Sequence, residues 1–128
     1  MIDFLFTSAL FGRVVANNAS VAGATGGCQA EVGSASAMAA AAAVSIFNGS
    51  PEQSGHAMAL AISNLLGLVC DPVAGLVEIP CVMRNAIGSG NALISADLAL
   101  AGVESQIPVD EVIGACLLYT SPSPRDRQ

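Results

Sequence analysis

The run SASAMAAAAAVSIF, Ser34 to Phe47, constrains this chain more than any other stretch. Alanine has the highest intrinsic helix propensity, so the run is expected to be a helix. Its side chains are short, so neighbouring helices approach it closely. It therefore reads as a buried central helix. Asn48 and Gly49 stop it. Ser50-Pro51-Glu52-Gln53 then opens another helix: Ser50 caps, Pro51 suits the first turn, and Gln53 completes a capping box. Along that helix Met58, Ala61, Ile62, Leu65, Leu66 and Val69 form an apolar stripe, with helical structure ending near Gly67.

The flanking segments follow the same logic. Residues 3–16 are predicted helical, with Phe4, Leu5, Ala9 and Leu10 at helical spacing. Residues 17–27 read as a loop in which Gly23, Gly26 and Gly27 permit conformations closed to other residues. Residues 70–80 hold Pro72, Gly75 and Pro80, which break any long helix. Pro80 suits the first turn of a further helix, Cys81 to Ala101. Gly102 ends it, and Pro108, Asp110 and Glu111 open the next. The 128 residues suit one domain, and 53% hydrophobic against 11% charged content makes a core easy to bury.

Composition excludes several function classes. The net charge is −6 and there is no Lys, so no basic face for nucleic acid exists. A Schiff-base cofactor such as pyridoxal phosphate has no lysine to attach to within this chain. His56 is the only histidine, and its place in an apolar helical pattern marks it as a packed or surface side chain. A membrane span needs roughly 20 apolar residues in a row. The best candidates, Val32 to Phe47 and Ala57 to Val69, are shorter and carry serines or an asparagine. No signal peptide is evident, and a cytoplasmic location is expected.

The chemistry-bearing residues cluster in loops. Cys28 sits in GGCQAEVG, and Cys70 and Cys81 bracket CDPVAGLVEIPC. Three thiols brought together by loops can hold metal, although their spacing matches neither zinc ribbons nor ferredoxins, which use close pairs. Cys81 stands at a helix start, where the dipole favours a thiolate. Glu31 and Asp71 lie within three residues of a thiol. Each is read first as a helix cap or loop hydrogen bond, and second as a group that orients ligands or binds an ammonium. Arg84 and Asn85, one turn after Cys81, face the same region. Arg84 either pairs with a nearby acid or grips a carboxylate in fork geometry.

The blocks GGCQAEVGSASAMAAAAA, NLLGLVCDPVAGLVEIPC and RNAIGSGNALISADLALAG closely resemble the α subunit of iron–sulfur-dependent L-serine dehydratase (L-serine ammonia-lyase), over roughly residues 4–114. The resemblance is greatest to the two-chain form, and it implies a separate β subunit as partner. It implies an all-helical domain in which Cys28, Cys70 and Cys81 hold a [4Fe–4S] cluster in a cradle of loops and helix starts. It further implies one iron left open for L-serine, which loses water and yields pyruvate and ammonia in amino-acid degradation and gluconeogenesis. Glu31, Asp71, Arg84 and Asn85 are the candidate catalytic residues. The family's substrate loop of APT-x-GAAG type and its C-terminal part have no counterpart here, so Met1 is expected to be an internal residue of a longer protein. Two other readings are a related [4Fe–4S] L-cysteine desulfidase, which CDPVAGLVEIPC disfavours, and a small-residue helical membrane or assembly module with inert cysteines.

The tail CLLYTSPSPRD differs from everything before it and resembles translated adaptor sequence from library preparation. The expected domain is therefore residues 1–115, with 116–128 a non-native, disordered tail that packs on nothing. Cys116 is not taken as a ligand.

Overall fold

The computed structural model describes residues 1–69, 73, 74, 76 and 78–118. Among these residues the regular elements are five α-helices: α1 (Ile2–Asn18), α2 (Gly23–Ile46), α3 (Pro51–Asn64), α4 (Cys81–Leu100) and α5 (Val109–Leu118). The all-α expectation holds. Helix α2 is the axis of the bundle, packing on α1, α3, α4 and α5. Ala37, Ala40, Ala41, Ala42 and Val44 are fully enclosed, which is how an alanine-rich helix accepts partners on several sides. Ala57, Met58, Ala61 and Ile62 of α3 and Ala92, Ala96 and Ala99 of α4 complete the main core with Val15, Val112 and Ile113.

Polar side chains tie the close crossings together. Ser54 Oγ donates to the Ala41 carbonyl at 3.1 Å, joining α3 to α2. Ser36 Oγ donates to the Gly88 carbonyl at 2.8 Å, joining α2 to α4. Gly88 is required there, since a Cβ would come within 2.7 Å of Val32 Cγ1. Asn91 Nδ2 donates to Ser36 Oγ and to the Ala61 carbonyl, both at 2.9 Å, and so spans three helices. These bonds satisfy groups that the packing removes from water.

The expected capping box of α3 is present: Gln53 N donates to Ser50 Oγ at 3.1 Å and Ser50 N to Gln53 Oε1 at 2.9 Å. Helix α4 begins on Cys81, with Pro80 at its N-cap. Three local expectations change. Helix α1 turns Phe4, Phe11, Val14 and Val15 inward, whereas Leu5 and Leu10 are 59% and 64% exposed. The stripe on α3 stops at Leu65 because the helix ends at Asn64, leaving Leu66 and Val69 exposed.

The expected 17–27 loop shrinks, since α1 runs to Asn18 and a helical turn forms from Gly23. That turn is cut from the rest of α2 at Gly27, whose φ of 74° and ψ of −174° lie in a region essentially reserved for glycine.

The expectation that residues 116 onward pack on nothing fails at Cys116. Helix α5 continues to Leu118, and Cys116 is buried in the main core rather than packing on nothing. Residues 119–128 lie outside the described residues. Hydrophobic burial does not depend on where a residue originates, and Cys116 shares the inward face of Val112 and Ile113.

Gly27→Ala is expected to destabilise the folded chain by about 1–3 kcal/mol, because an alanine cannot relax at that φ and ψ. Ser50→Ala is expected to cost about 1 kcal/mol through loss of the cap. Deleting residues 116–128 should lower the melting temperature by removing Cys116 from the core, whereas deleting 119–128 alone should leave the core intact. Thermal unfolding monitored by circular dichroism checks all three.

Candidate functional site

The site is built where two helix starts meet a turn. The break at Gly27 makes Cys28 the first residue of the long segment of α2, and Cys81 is the first residue of α4. At such positions backbone N–H groups have no partner within the helix and the positive end of the helix dipole lies close by. Cys28 is 3% exposed and forms a small cluster with Val32 and Leu65, against which Leu68 and the half-buried Cys81 pack. Two of the three thiols singled out in the sequence, Cys28 and Cys81, therefore border one small apolar cluster. Both are free cysteines.

Cys70 and Asp71 lie outside the described residues. The approach to Cys70 is described up to Val69, and it is anchored to the same cluster. Arg84 Nη1 donates to Cys28 Sγ at 3.4 Å and to the Val69 carbonyl at 2.7 Å. One guanidinium thus joins the first thiol to the residue just before the second. A planar cation with several fixed N–H donors suits a sulfur and a carbonyl held side by side.

The other candidates are distributed differently. Asn85 Nδ2 donates to the Cys81 carbonyl at 2.9 Å, a bond within the first turn of α4. Glu31 is exposed, and its carboxylate lies over Gly23 at the start of α2, in the space a side chain there would take. That position gives it no described contact with a thiol. His56 Nδ1 accepts the Ser105 N–H at 3.1 Å, so the histidine ties α3 to the link between α4 and α5, as a packed side chain. Among the described residues no group of three His, Cys, Asp or Glu side chains is placed to hold a metal ion.

Gln29 was not singled out in the sequence, yet it is 1% exposed and bonded on every side. Its backbone N–H donates to the Leu68 carbonyl at 2.9 Å. Its Oε1 accepts the Gly67 N–H at 2.7 Å and its Nε2 donates to the Cys116 carbonyl at 2.9 Å. The available signal was slight: a long amide side chain directly after Cys28, at the start of an otherwise small-residue helix.

Comparison with known proteins points the same way. A family model described as "Serine dehydratase alpha chain" matches residues 1–118. The chain is 70% identical over 115 residues to the "Probable L-serine dehydratase, alpha chain" of Bacillus subtilis (strain 168), covering 90% of this chain and 38% of that protein. It is 63% identical over 107 residues to the "L-serine dehydratase, alpha chain" of Peptoniphilus asaccharolyticus, covering 84% of this chain and 37% of that protein. It is 47% identical over 113 residues to the "L-serine dehydratase" of Mycobacterium tuberculosis, covering 88% of this chain and 24% of that protein. The chain thus spans well under half the length of these curated relatives.

Burial raises the pKa of the Cys116 thiol above its ordinary value of 9.0. The neutral thiol's contribution to stability is intact below that value and is lost as pH rises through the higher folded value. The melting temperature is therefore expected to fall above about pH 9 and to fall less in Cys116→Ala, measured by thermal unfolding across alkaline pH. Alkylation mapped by mass spectrometry should reach the half-buried Cys81 before the buried Cys28 and Cys116.

Proposed function

We propose, for a chain that belongs to the serine dehydratase alpha chain family, that it forms the cofactor-holding part of an L-serine ammonia-lyase. In this reading Cys28, Cys70 and Cys81 hold a [4Fe–4S] cluster, and L-serine is converted to pyruvate and ammonia. The observation that carries it is that Cys28 and Cys81 border one cluster, with Arg84 bridging Cys28 to Val69, the residue before Cys70. The donor set fits such a group: thiolates are the ligands of iron–sulfur clusters, and the two described thiols sit in one cluster of side chains at helix starts. Cys116 stands apart from that set, on the inward face of α5 in the main core.

The chemistry asks for help in expelling hydroxide, a poor leaving group. A bound cluster with three cysteine ligands supplies an open iron, a Lewis acid for that developing charge. This chain's own residues do the rest of what is visible. Arg84 holds the Val69 carbonyl against Cys28 and donates to its sulfur, which steadies the ligand and places positive charge beside it. Asn85 secures the first turn of α4 beneath Cys81. Asp71 and Glu31 remain candidates for orienting a ligand or receiving the substrate ammonium. With no Lys, this chain has no anchor for pyridoxal phosphate.

A β subunit is the proposed partner. The relatives named as alpha chains support it, and so do the exposed apolar side chains Val82, Met83, Ile87, Leu93 and Ile94 on α4 and Ile2, Leu5, Phe6 and Leu10 on α1. No helix among the described residues is long and apolar enough to cross a membrane. We place the enzyme in the cytoplasm. We keep residues 1–115 as the proposed domain and 116–128 as foreign to it; the family match runs over residues 1–118.

The test uses the full-length α chain with its β partner, purified anaerobically. Iron and sulfide should be present, and L-serine should yield pyruvate, with activity lost in air. Cys70→Ala should lose both cluster and activity. Cys70→Ala protein with normal iron content and pyruvate formation would overturn the assignment. The 128-residue chain alone should not turn over L-serine even when loaded with cluster. Misplacing a substrate by about 1 Å can cost on the order of a hundredfold in rate, and these 128 residues match only 38% of the Bacillus subtilis relative.

A further inference from the structure

We infer that Leu68 is a cover over the Cys28 thiol and that Gln29 is the positioning residue that clamps it there. The use of such a cover rests on the reading of Cys28 as a cluster ligand.

The cover is built from one turn. Leu65 and Leu68, three residues apart, both pack with Cys28 and Val32 in one small cluster. Cys28 is 3% exposed and Leu65 is 9% exposed, whereas Leu68 is half-buried, so Leu68 stands on the solvent side of the cluster. Apolar groups around a metal ligand control how water and oxidants reach it. Leu65 is held by the end of α3, since its N–H donates to the Ile62 carbonyl at 3.0 Å. Leu68 has no helix to hold it. The chain leaves α3 through Gly67 at a φ of 82°, a conformation glycine adopts at no steric cost.

Gln29 supplies the hold that the turn lacks. Its backbone N–H donates to the Leu68 carbonyl at 2.9 Å, and its Oε1 accepts the Gly67 N–H at 2.7 Å. Its Nε2 donates to the Cys116 carbonyl, so α5 fixes the amide from behind. The backbone bond is open to any residue at this position, whereas the bond to Gly67 needs the side chain. A carboxamide that is 1% exposed is out of place unless such bonds matter. A methionine would fill a similar volume without removing an amide from water. On the other side of Leu68, Arg84 ties the Val69 carbonyl to Cys28 Sγ. The leucine is thus flanked by bonds at Gly67 and at Val69.

The experiment reads access to Cys28 in the reduced, metal-free 128-residue chain. Alkylation by a maleimide is followed by mass spectrometry at Cys28 and at Cys81, the half-buried thiol that borders the same cluster from α4. In Gln29→Met the Cys28 rate should rise about tenfold relative to Cys81, the order expected when a buried donor loses its acceptor. Leu68→Ala removes the cover and leaves the clamp, and should raise the ratio by at least as much. The double variant should match Leu68→Ala alone, because the clamp then has nothing to hold.

Effects that multiply in the double variant show Gln29 acting elsewhere and overturn the inference. So does an unchanged Cys28 rate in either single variant. An equal rise at Cys28, Cys81 and Cys116 is general loosening and overturns it too. Two maleimides of the same chemistry and different bulk separate access from thiolate content, which scales both rates alike. The bulkier reagent should gain more at Cys28, and equal gains count against a cover. If Gln29→Met loses helix content by circular dichroism, Gln29→Asn, its amide one methylene short of Gly67, carries the same cycle. Iron and sulfide are measured separately in the full-length α chain with its β partner. Their absence there sinks the cluster reading and leaves the cover in place.

Discussion

The break at Gly27 is the constraint on which the rest of the site depends. A continuous helix from Gly23 would bond the N–H of Gln29 within the helix and bury Cys28 in mid-helix. With φ at 74° the chain starts a new helix at Cys28 instead, and the Gln29 N–H turns to Leu68. One backbone conformation open to glycine therefore creates a thiol at a helix start and a docking point for the turn after α3.

The second requirement is a frame that holds two such helix starts close together. Alanine supplies it on α2, with glycine at the closest crossing on α4. Val32 packs against the backbone at Gly88, and Ser36 bonds to the Gly88 carbonyl. Close helix approach costs side-chain volume in the core, and the chain offsets this with hydrogen bonds between small polar side chains and backbone carbonyls. Asn91 does this for three helices at once. Such a frame resists rotation of α4 about α2, and so keeps Cys81 against the cluster that holds Cys28.

Much of the remaining surface is apolar, notably the outer faces of α1 and α4. The curated relatives are more than twice as long as the stretch compared. Exposed apolar faces of this extent on α1 and α4 are a feature of surfaces that meet other protein.

The all-helical class, the capping box on α3, the start of α4 at Cys81 and the burial of the alanine run on α2 were legible in the sequence. Each arises from propensity or from patterns within a few residues. The family was legible too, because its motifs are contiguous blocks. The inward face of α1 was not, since several apolar choices existed and packing on α2 selected Phe4, Phe11, Val14 and Val15. Nor was the burial of Cys116, the donation of Arg84 to Cys28 and to the Val69 carbonyl, or the place of Gln29. Those depend on segments that meet only in the folded chain: residue 29 with 67, 68 and 116, and residue 84 with 28 and 69. A hydrogen bond between residues far apart in sequence leaves no local period to read. Its partners are chosen by which surfaces the close-packed helices bring together.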